Sequence, residues 1–240
     1  MVKVSDASPR FLIIAFASIN VGLDRSARLG EYRASFLQLS RVLPADWKLI
    51  VGENTLSSHE ELLGVLGDVT PLDTEFHLID QNLGLKNKGV GELKMLAHIL
   101  NQLGPDALSY CKISYFTARR LVTCPYIFER TEQSKVPILV SNPDFVYLDG
   151  EFKMSEKKGM FNDMYFSMSP QALRAYSEFS ESRSDLLLAK SISSESNLHD
   201  FVTSSGLEFE VLPWLGLLRY SHEERIPHLK AFKRTRWHFC

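Results

Sequence analysis

Three glycines and two lysines crowd the segment Asn82–Leu93, NLGLKNKGVGEL, just ahead of an amphipathic pattern. Gly89 and Gly91 permit close approach of a backbone. A helix opening near Glu92 would offer unpaired N–H groups and the positive end of its dipole, a combination suited to phosphate. Lys86 and Lys88 add charge. Neither standard phosphate motif is complete, however. Gly84 and Gly89 have Walker A spacing, but Val90-Gly91 stands where Lys-Ser/Thr is required. Gly89-Val90-Gly91 begins a dinucleotide fingerprint, yet Lys94 replaces the third glycine, and that loop belongs after a first strand. A plain strand-to-helix turn, with Glu92 complementing the dipole, explains the same residues. Both readings stand at this point.

A second concentration of charge lies at SYCKISYFTARR, Ser109–Arg120. Lys112 falls inside an apolar strand, where an ammonium is costly unless it meets an anion or reaches water. Arg119 and Arg120 follow the end of that strand. In open α/β sheets ligands bind outside the carboxyl ends of the strands, so these cations and the Gly89 turn are expected to share one concavity. A solvated turn is the plainer account of one of the two arginines. Arg25 and Arg28 follow the first strand in the same way.

The elements that must position these groups alternate. Phe11–Ile19 is a continuous apolar run, as in a strand buried on both faces. Tyr32, Phe36, Leu39 and Leu43 recur at helical spacing and stop before Pro44. Lys48–Gly52 and Glu75–Ile79 read as strands, with Ser58 and Glu61 forming a capping box between them. Leu93, Leu96, Ala97, Leu100 and Leu103 make one helical face, closed by Gly104-Pro105. Ser109–Phe116 and Val136–Ser141 are further strands. Later come strands at Phe145–Leu148, Met160–Met168 and Phe209–Leu212. Ser169-Pro170 opens one helix, and Ser193 or Ser194 another. This alternation predicts an α/β fold: one domain with a mostly parallel sheet and helices on both faces.

Composition narrows the function. The 240 residues are 45% hydrophobic and 23% charged, ordinary for a globular domain of enzyme size. A formal charge of −2 argues against a dedicated nucleic-acid binder. No apolar run reaches membrane-spanning length, and Asp6 with Pro9 makes the start a poor secretory signal. Cys111, Cys124 and Cys240 are too scattered for a disulfide framework or a metal cluster, and the histidines form no close pair. Reduced thiols in a cytoplasmic setting are expected.

The order of strands and helices, with Asn82-x-Gly84-x-x-Asn87-x-Gly89 before the amphipathic helix, resembles GT-A-fold glycosyltransferases, which act on nucleotide-sugar donors. More narrowly, NKGVGE (Asn87–Glu92) followed by Lys112-Ile113-Ser114 and Arg119 is similar to bacterial glycosyltransferase-like proteins of surface-polysaccharide gene clusters, which carry NKGxGE and then KITGR. MFNDMYFSMSPQALRAY (Met160–Tyr176) and ESNLHDF (Glu195–Phe201) fall where such proteins have an acceptor-side strand, a helix and an acidic segment. The likeness spans roughly residues 10–220, with a nucleotide-binding half to about 120 and an acceptor-side half from about 121. Two departures stand out. Tyr-Phe-Thr-Ala separates Ser114 from Arg119, and no Asp-x-Asp follows the strand ending near Phe116; the nearest acidic pair, Asp149-Gly-Glu151, lies in a later turn.

The resemblance implies transfer of a sugar from a nucleotide-sugar donor to a polysaccharide or glycolipid acceptor, with no nucleic acid, no metal and no other cofactor. Without a cation, fixed positive groups must stabilise the departing diphosphate. Asn82, Gly84, Asn87, Lys88, Gly89, Gly91, Lys112, Arg119 and Arg120 are the expected donor contacts, with Arg25 and Arg28 on the nucleotide side. A carboxylate must deprotonate the acceptor in an inverting reaction. Glu195 is the first candidate and Asp163 the second, with His199 behind them. The alternative is a degenerate sheet that binds a nucleotide or a partner without chemistry. In the tail, residues 221–240, Lys230, Lys233, Arg234 and Arg236 flank Phe232, Trp237 and Phe239, which suits peripheral contact with the inner face of a membrane. A tail docked on the core is the other reading.

Overall fold

The computed structural model describes residues 10–21, 25–79, 87–141, 145–148, 151–154, 160–212, 215–221 and 226–230. Asn82, Gly84 and Lys86 lie outside the described residues, as does the tail beyond Lys230.

The chain begins with β1 (Phe11–Ala17), α1 (Arg25–Val42), β2 (Trp47–Glu53), α2 (His59–Leu66), β3 (Glu75–Leu78) and α3 (Lys88–Leu103). A 3-10 turn over Gly104–Ser109 leads into β4 (Lys112–Thr117), β5 (Arg120–Val122), α4 (Tyr126–Gln133) and β6 (Ile138–Ser141). There follow β7 (Phe145–Leu148), β8 (Glu151–Met154), β9 (Tyr165–Met168), α5 (Pro170–Ser182), α6 (Ser184–Ala189) and α7 (Ser194–Ser204). The described chain ends with β10 (Phe209–Leu212), β11 (Leu217–Ser221) and β12 (Ile226–Lys230).

Seven strands form the main sheet in the order β10-β6-β9-β4-β1-β2-β3. Pairing is parallel throughout except around β9, which runs antiparallel to both β4 and β6. Strands β12, β11 and β5 make a small antiparallel sheet, and β7 pairs with β8.

Side chains alternate across the strands and so feed two cores. Phe11, Ile13, Ala15 and Ala17 of β1 join Tyr32, Phe36 and Leu39 of α1, Leu62 and Leu66 of α2, and Ile127 and Phe128 of α4. Leu12, Ile14 and Phe16 face the other way, against Met95, Leu96 and Ile99 of α3, Leu173 and Tyr176 of α5, and Leu198 and Phe201 of α7. Each fully buried apolar side chain in these layers contributes roughly 1.5–3 kcal/mol. Helix α3 lies so close to the sheet that a Cβ on Gly52 of β2 would stand 2.7 Å from Met95 Sδ. The mostly parallel sheet with helices on both faces agrees with the sequence reading.

Several boundaries differ. The helix expected near Glu92 begins at Lys88, because Asn87 caps it one turn earlier. The expected strand Ser109–Phe116 starts only at Lys112, since the 3-10 turn opened by Gly104-Pro105 runs through Ser109 and the chain bends over Tyr110 and Cys111. Strand β5 replaces the solvated turn expected after Arg119, its backbone held by β11. Met160–Met168 is a strand only from Tyr165. Lys230 closes strand β12, and the tail's other expected membrane contacts fall outside the described residues.

Candidate functional site

The carboxyl ends of β1, β2 and β4, the amino ends of α3 and α7 and the entry to β9 all lie at one edge of the sheet. Two guanidiniums sit at the ends of the adjacent strands β1 and β4. Arg28 donates from Nε to the carbonyl of Ser18, 2.6 Å away, and lies 5.9 Å from the centre of the Tyr32 ring. Tyr32 in turn accepts the Ser18 N–H on its hydroxyl at 2.9 Å, so the arginine's anchor is itself fixed. Arg119 donates from Nε to Glu31 Oε2 at 2.6 Å, and its Nη2 lies 2.5 Å from the same oxygen. Glu31 projects from α1 and is buried; Arg119 is about one-fifth exposed.

Beside them, Glu53 locks the ends of β1 and β2 together. Its fully buried carboxylate accepts N–H groups from Ile19 at 3.0 Å and from Thr55 and Leu56 at 2.6 Å, and the Thr55 hydroxyl as well. Three backbone donors at the end of a strand hold that carboxylate in place without a cation. Ser18 Oγ donates to Asn54 Oδ1 at 2.8 Å, while Asn54 Nδ2 and Asn20 Oδ1 are buried without a protein partner. Glu53, Asn54, Asn20 and Glu31 were absent from the sequence-based set. Only the position of Glu53 and Asn54 at a strand's carboxyl end could have flagged them.

A second cluster forms where α3, α7 and β9 begin. Asn87 Oδ1 accepts the Val90 N–H at 3.3 Å, and its amide donates to the Leu187 carbonyl at 3.4 Å. The Gly91 N–H is taken by the Asn87 carbonyl at 3.1 Å. Asn87 is therefore a helix cap and Gly91 a first-turn residue, which accounts for both without a ligand. Gly89 has a packing cause: a Cβ there would stand 3.1 Å from both Cβ and Oγ of Ser194, the first residue of α7. The backbone of Lys88 starts α3.

Ser194 donates its hydroxyl to Asp163 Oδ2. Asp163 precedes β9, and its carbonyl accepts from Thr117 Oγ1 at 3.4 Å, which ties it to the end of β4. Beneath, Tyr115 of β4 donates to Glu92 Oε2 of α3 at 2.7 Å, both side chains being buried. Burial first, and then Glu92 and Asp163, hold the Tyr115 phenol well above its ordinary pKa, so it stays a donor. Glu92, expected only to complement a dipole, is thus a buried hydrogen-bonded carboxylate.

The remaining candidates divide. Glu195 and His199 lie on α7, both half-buried. Glu195 holds the Phe161 N–H on its backbone carbonyl at 3.4 Å, and the His199 ring lies 5.2 Å from Phe161. Arg120 directs Nε to Met164 Sδ at 2.8 Å, while its carbonyl accepts from Ser35 Oγ at 2.5 Å. Arg25, the first residue of α1, forms an exposed ion pair with Glu61 in the first turn of α2.

Lys112 is a correction. It opens β4, opposite Phe11 at the start of β1, and so lies at the far edge of the sheet, about 16 Å from the end of its strand. Its ammonium donates to the Val136 carbonyl. Burial lowers its pKa to about 8, with Glu210 acting in the opposite direction. The expected concavity shared with Gly89 does not exist, because the strand's first residue, not its last, carries the amine.

Metal chemistry has a poor fit at the end of β4. Where Asp-x-Asp would stand there are Thr117, Ala118 and Arg119, and the last presents a guanidinium rather than an oxygen ligand. Among the described residues no group of three or more His, Cys, Asp or Glu could hold a metal ion, and no helix is long and apolar enough to cross a membrane.

Comparison with family models and with curated proteins returns no match. Among solved structures, the chain is similar to a putative nucleotide-diphospho-sugar transferase from Desulfovibrio desulfuricans G20, with a TM-score of 0.54 and 11% identity over 86% of this chain and 80% of that one. The chain is, in its fold, a GT-A-like α/β domain.

Proposed function

We propose that the protein transfers a sugar from a nucleoside-diphosphate-sugar donor to a saccharide or glycolipid acceptor, without a divalent cation and in a cytoplasmic setting. The observation that carries this reading is the pair of anchored guanidiniums, Arg28 and Arg119, at the carboxyl ends of adjacent strands. Ligands of open α/β sheets collect at that edge, and forked donors suit a diphosphate. Asn20 and Asn54, with buried amide atoms lacking protein partners, lie at the ends of β1 and β2 and suit the nucleoside.

Asp163 is the base in this reading. Its carboxylate is set by Ser194 beside the end of β4, whereas Glu195 occupies the first turn of α7 and His199 packs on Phe161. The acceptor hydroxyl gives its proton to Asp163 as its oxygen bonds to the anomeric carbon. The bond from that carbon to the diphosphate oxygen breaks, and its electron pair leaves with the nucleoside diphosphate. Arg28 and Arg119 stabilise the charge that develops there, in place of a metal.

A panel of UDP-, GDP-, dTDP- and CMP-sugars, assayed for hydrolysis and transfer with and without EDTA, tests this. EDTA-insensitive turnover that Asp163→Asn lowers about 10²–10⁴-fold is the expected result. Turnover only with added Mn²⁺ would refute the metal-free part. A non-catalytic nucleotide-binding module is the second reading, favoured by the Glu31 carboxylate that already balances Arg119. Binding of a nucleotide with no turnover on any donor would select it.

A further inference from the structure

The junction of α3, α7 and β9 is built around one contact chain: Gly89 against Ser194, and Ser194 onto Asp163. Ser193, not Ser194, caps α7, accepting the Ser196 N–H at 3.2 Å. The hydroxyl of Ser194 is therefore not needed for capping and is directed at the carboxylate. Gly89 leaves no spare room on the other side, since even a methyl group would stand 3.1 Å from Ser194 Cβ and Oγ. A serine pressed between a helix start and a carboxylate has few rotamers open to it.

We infer that Ser194 is a positioning residue of Asp163, contributing to the orientation and proton affinity of that carboxylate, and that Gly89 serves the site by seating Ser194 rather than by touching a ligand. This rests on the assignment of Asp163 as the base. It replaces the phosphate role that the glycine-rich segment suggests with a structural one, exerted through α7.

A hydroxyl donating to a carboxylate favours the charged form and lowers its pKa. Among the described residues, the titratable side chains on the elements packed around Asp163 include Glu92 of α3, Tyr115 of β4, Tyr176 of α5 and Glu195 and His199 of α7. Burial before all else raises the pKa of Tyr115 and Tyr176, so the two phenols stay neutral through the acidic range. The signals of Glu92, Glu195 and His199 are followed alongside Asp163 as internal references.

The test is a carbon-detected NMR titration of the Asp163 carboxyl in the full chain, which needs neither substrate nor turnover. Ser194→Ala is expected to raise the Asp163 midpoint by about one pH unit. Gly89→Ala should move it the same way by pressing on the hydroxyl, with Ser194 itself left unsubstituted. Ser193→Ala is the control: it frays α7 and lowers thermal stability, yet should shift Asp163 far less. An unmoved midpoint in Ser194→Ala, or an equal shift in Ser193→Ala, overturns the inference. The pH profile of sugar transfer separates the two layers. If the midpoint rises in Ser194→Ala and the acid limb of the rate does not follow, the positioning role stands and Asp163 falls as the base.

Discussion

Lys112 and Arg119 are seven residues apart along one strand and its exit, and they occupy opposite edges of the sheet. Both are partly withdrawn from water. Among the described residues Lys112 donates to a backbone carbonyl, with Glu210 at a distance, and its pKa falls to about 8. Arg119 meets a carboxylate squarely, keeps an exposed portion and lies where parallel strands end. The difference teaches that a cation in an apolar strand is read correctly only when its end of the strand is known. Desolvation at the amino edge makes a structural lysine, while a cation at the carboxyl edge lies where ligands of open α/β sheets bind.

The sharpest way to test that contrast is chemical. Asp163→Asn, at the carboxyl edge, should lower sugar transfer about 10²–10⁴-fold with the circular dichroism unchanged. Lys112→Met, at the amino edge, should leave turnover within about twofold.

The next effect is on stability against pH. The folded pKa of Lys112, about 8, lies below its ordinary 10.5, so the unfolded chain binds more protons between those values. Stability contributed by this group therefore rises as pH climbs from about 8 to about 10.5, by up to about 3 kcal/mol, and is constant below. Urea titrations across that window should give a rising trend in the wild type and a smaller one in Lys112→Met. A matching trend in the variant would remove Lys112 as the cause.

A smaller cost is expected at Arg119. Arg119→Ala leaves the buried Glu31 carboxylate without its guanidinium and should destabilise the fold by about 2 kcal/mol, by urea denaturation. Adding Glu31→Gln should recover part of that loss, because the stranded charge is then removed. Failure of the double variant to recover any stability would mean the pair contributes by packing alone. Gly89→Ala comes last, at about 1–2 kcal/mol from overpacking against Ser194. A neutral effect there would show that α7 yields freely and that the junction is loose.

Much of the scaffold was legible. The run Phe11–Ile19, the spacing of Tyr32, Phe36 and Leu39, and the cap at Ser169-Pro170 are local signals, and the corresponding elements formed. Strands β5, β11 and β12 were not, because three to five residues held by distant partners leave no period to read. Within the site, cationic type was legible but address was not. Arg28 and Arg119 reached the strand ends; Lys112 did not, since it pairs with Phe11 at the start of β1, five residues before its own strand ends. Glu53 and Ser194 carried only a positional signal, a strand end and a helix start, and none for their role. An acid ending a strand and a serine opening a helix look ordinary until the fold brings their partners within bonding distance.

The central claim is that protein guanidiniums at the ends of β1 and β4 grip a nucleoside diphosphate unaided by metal. Calorimetric titration of UDP, GDP, dTDP and CDP in EDTA, into the wild type, Arg28→Ala, Arg119→Lys and Lys112→Met, addresses it directly. At least one nucleotide should bind the wild type and Lys112→Met equally and bind each arginine variant about tenfold or more weakly. Binding that is indifferent to both arginines, or that needs a divalent cation, would contradict it.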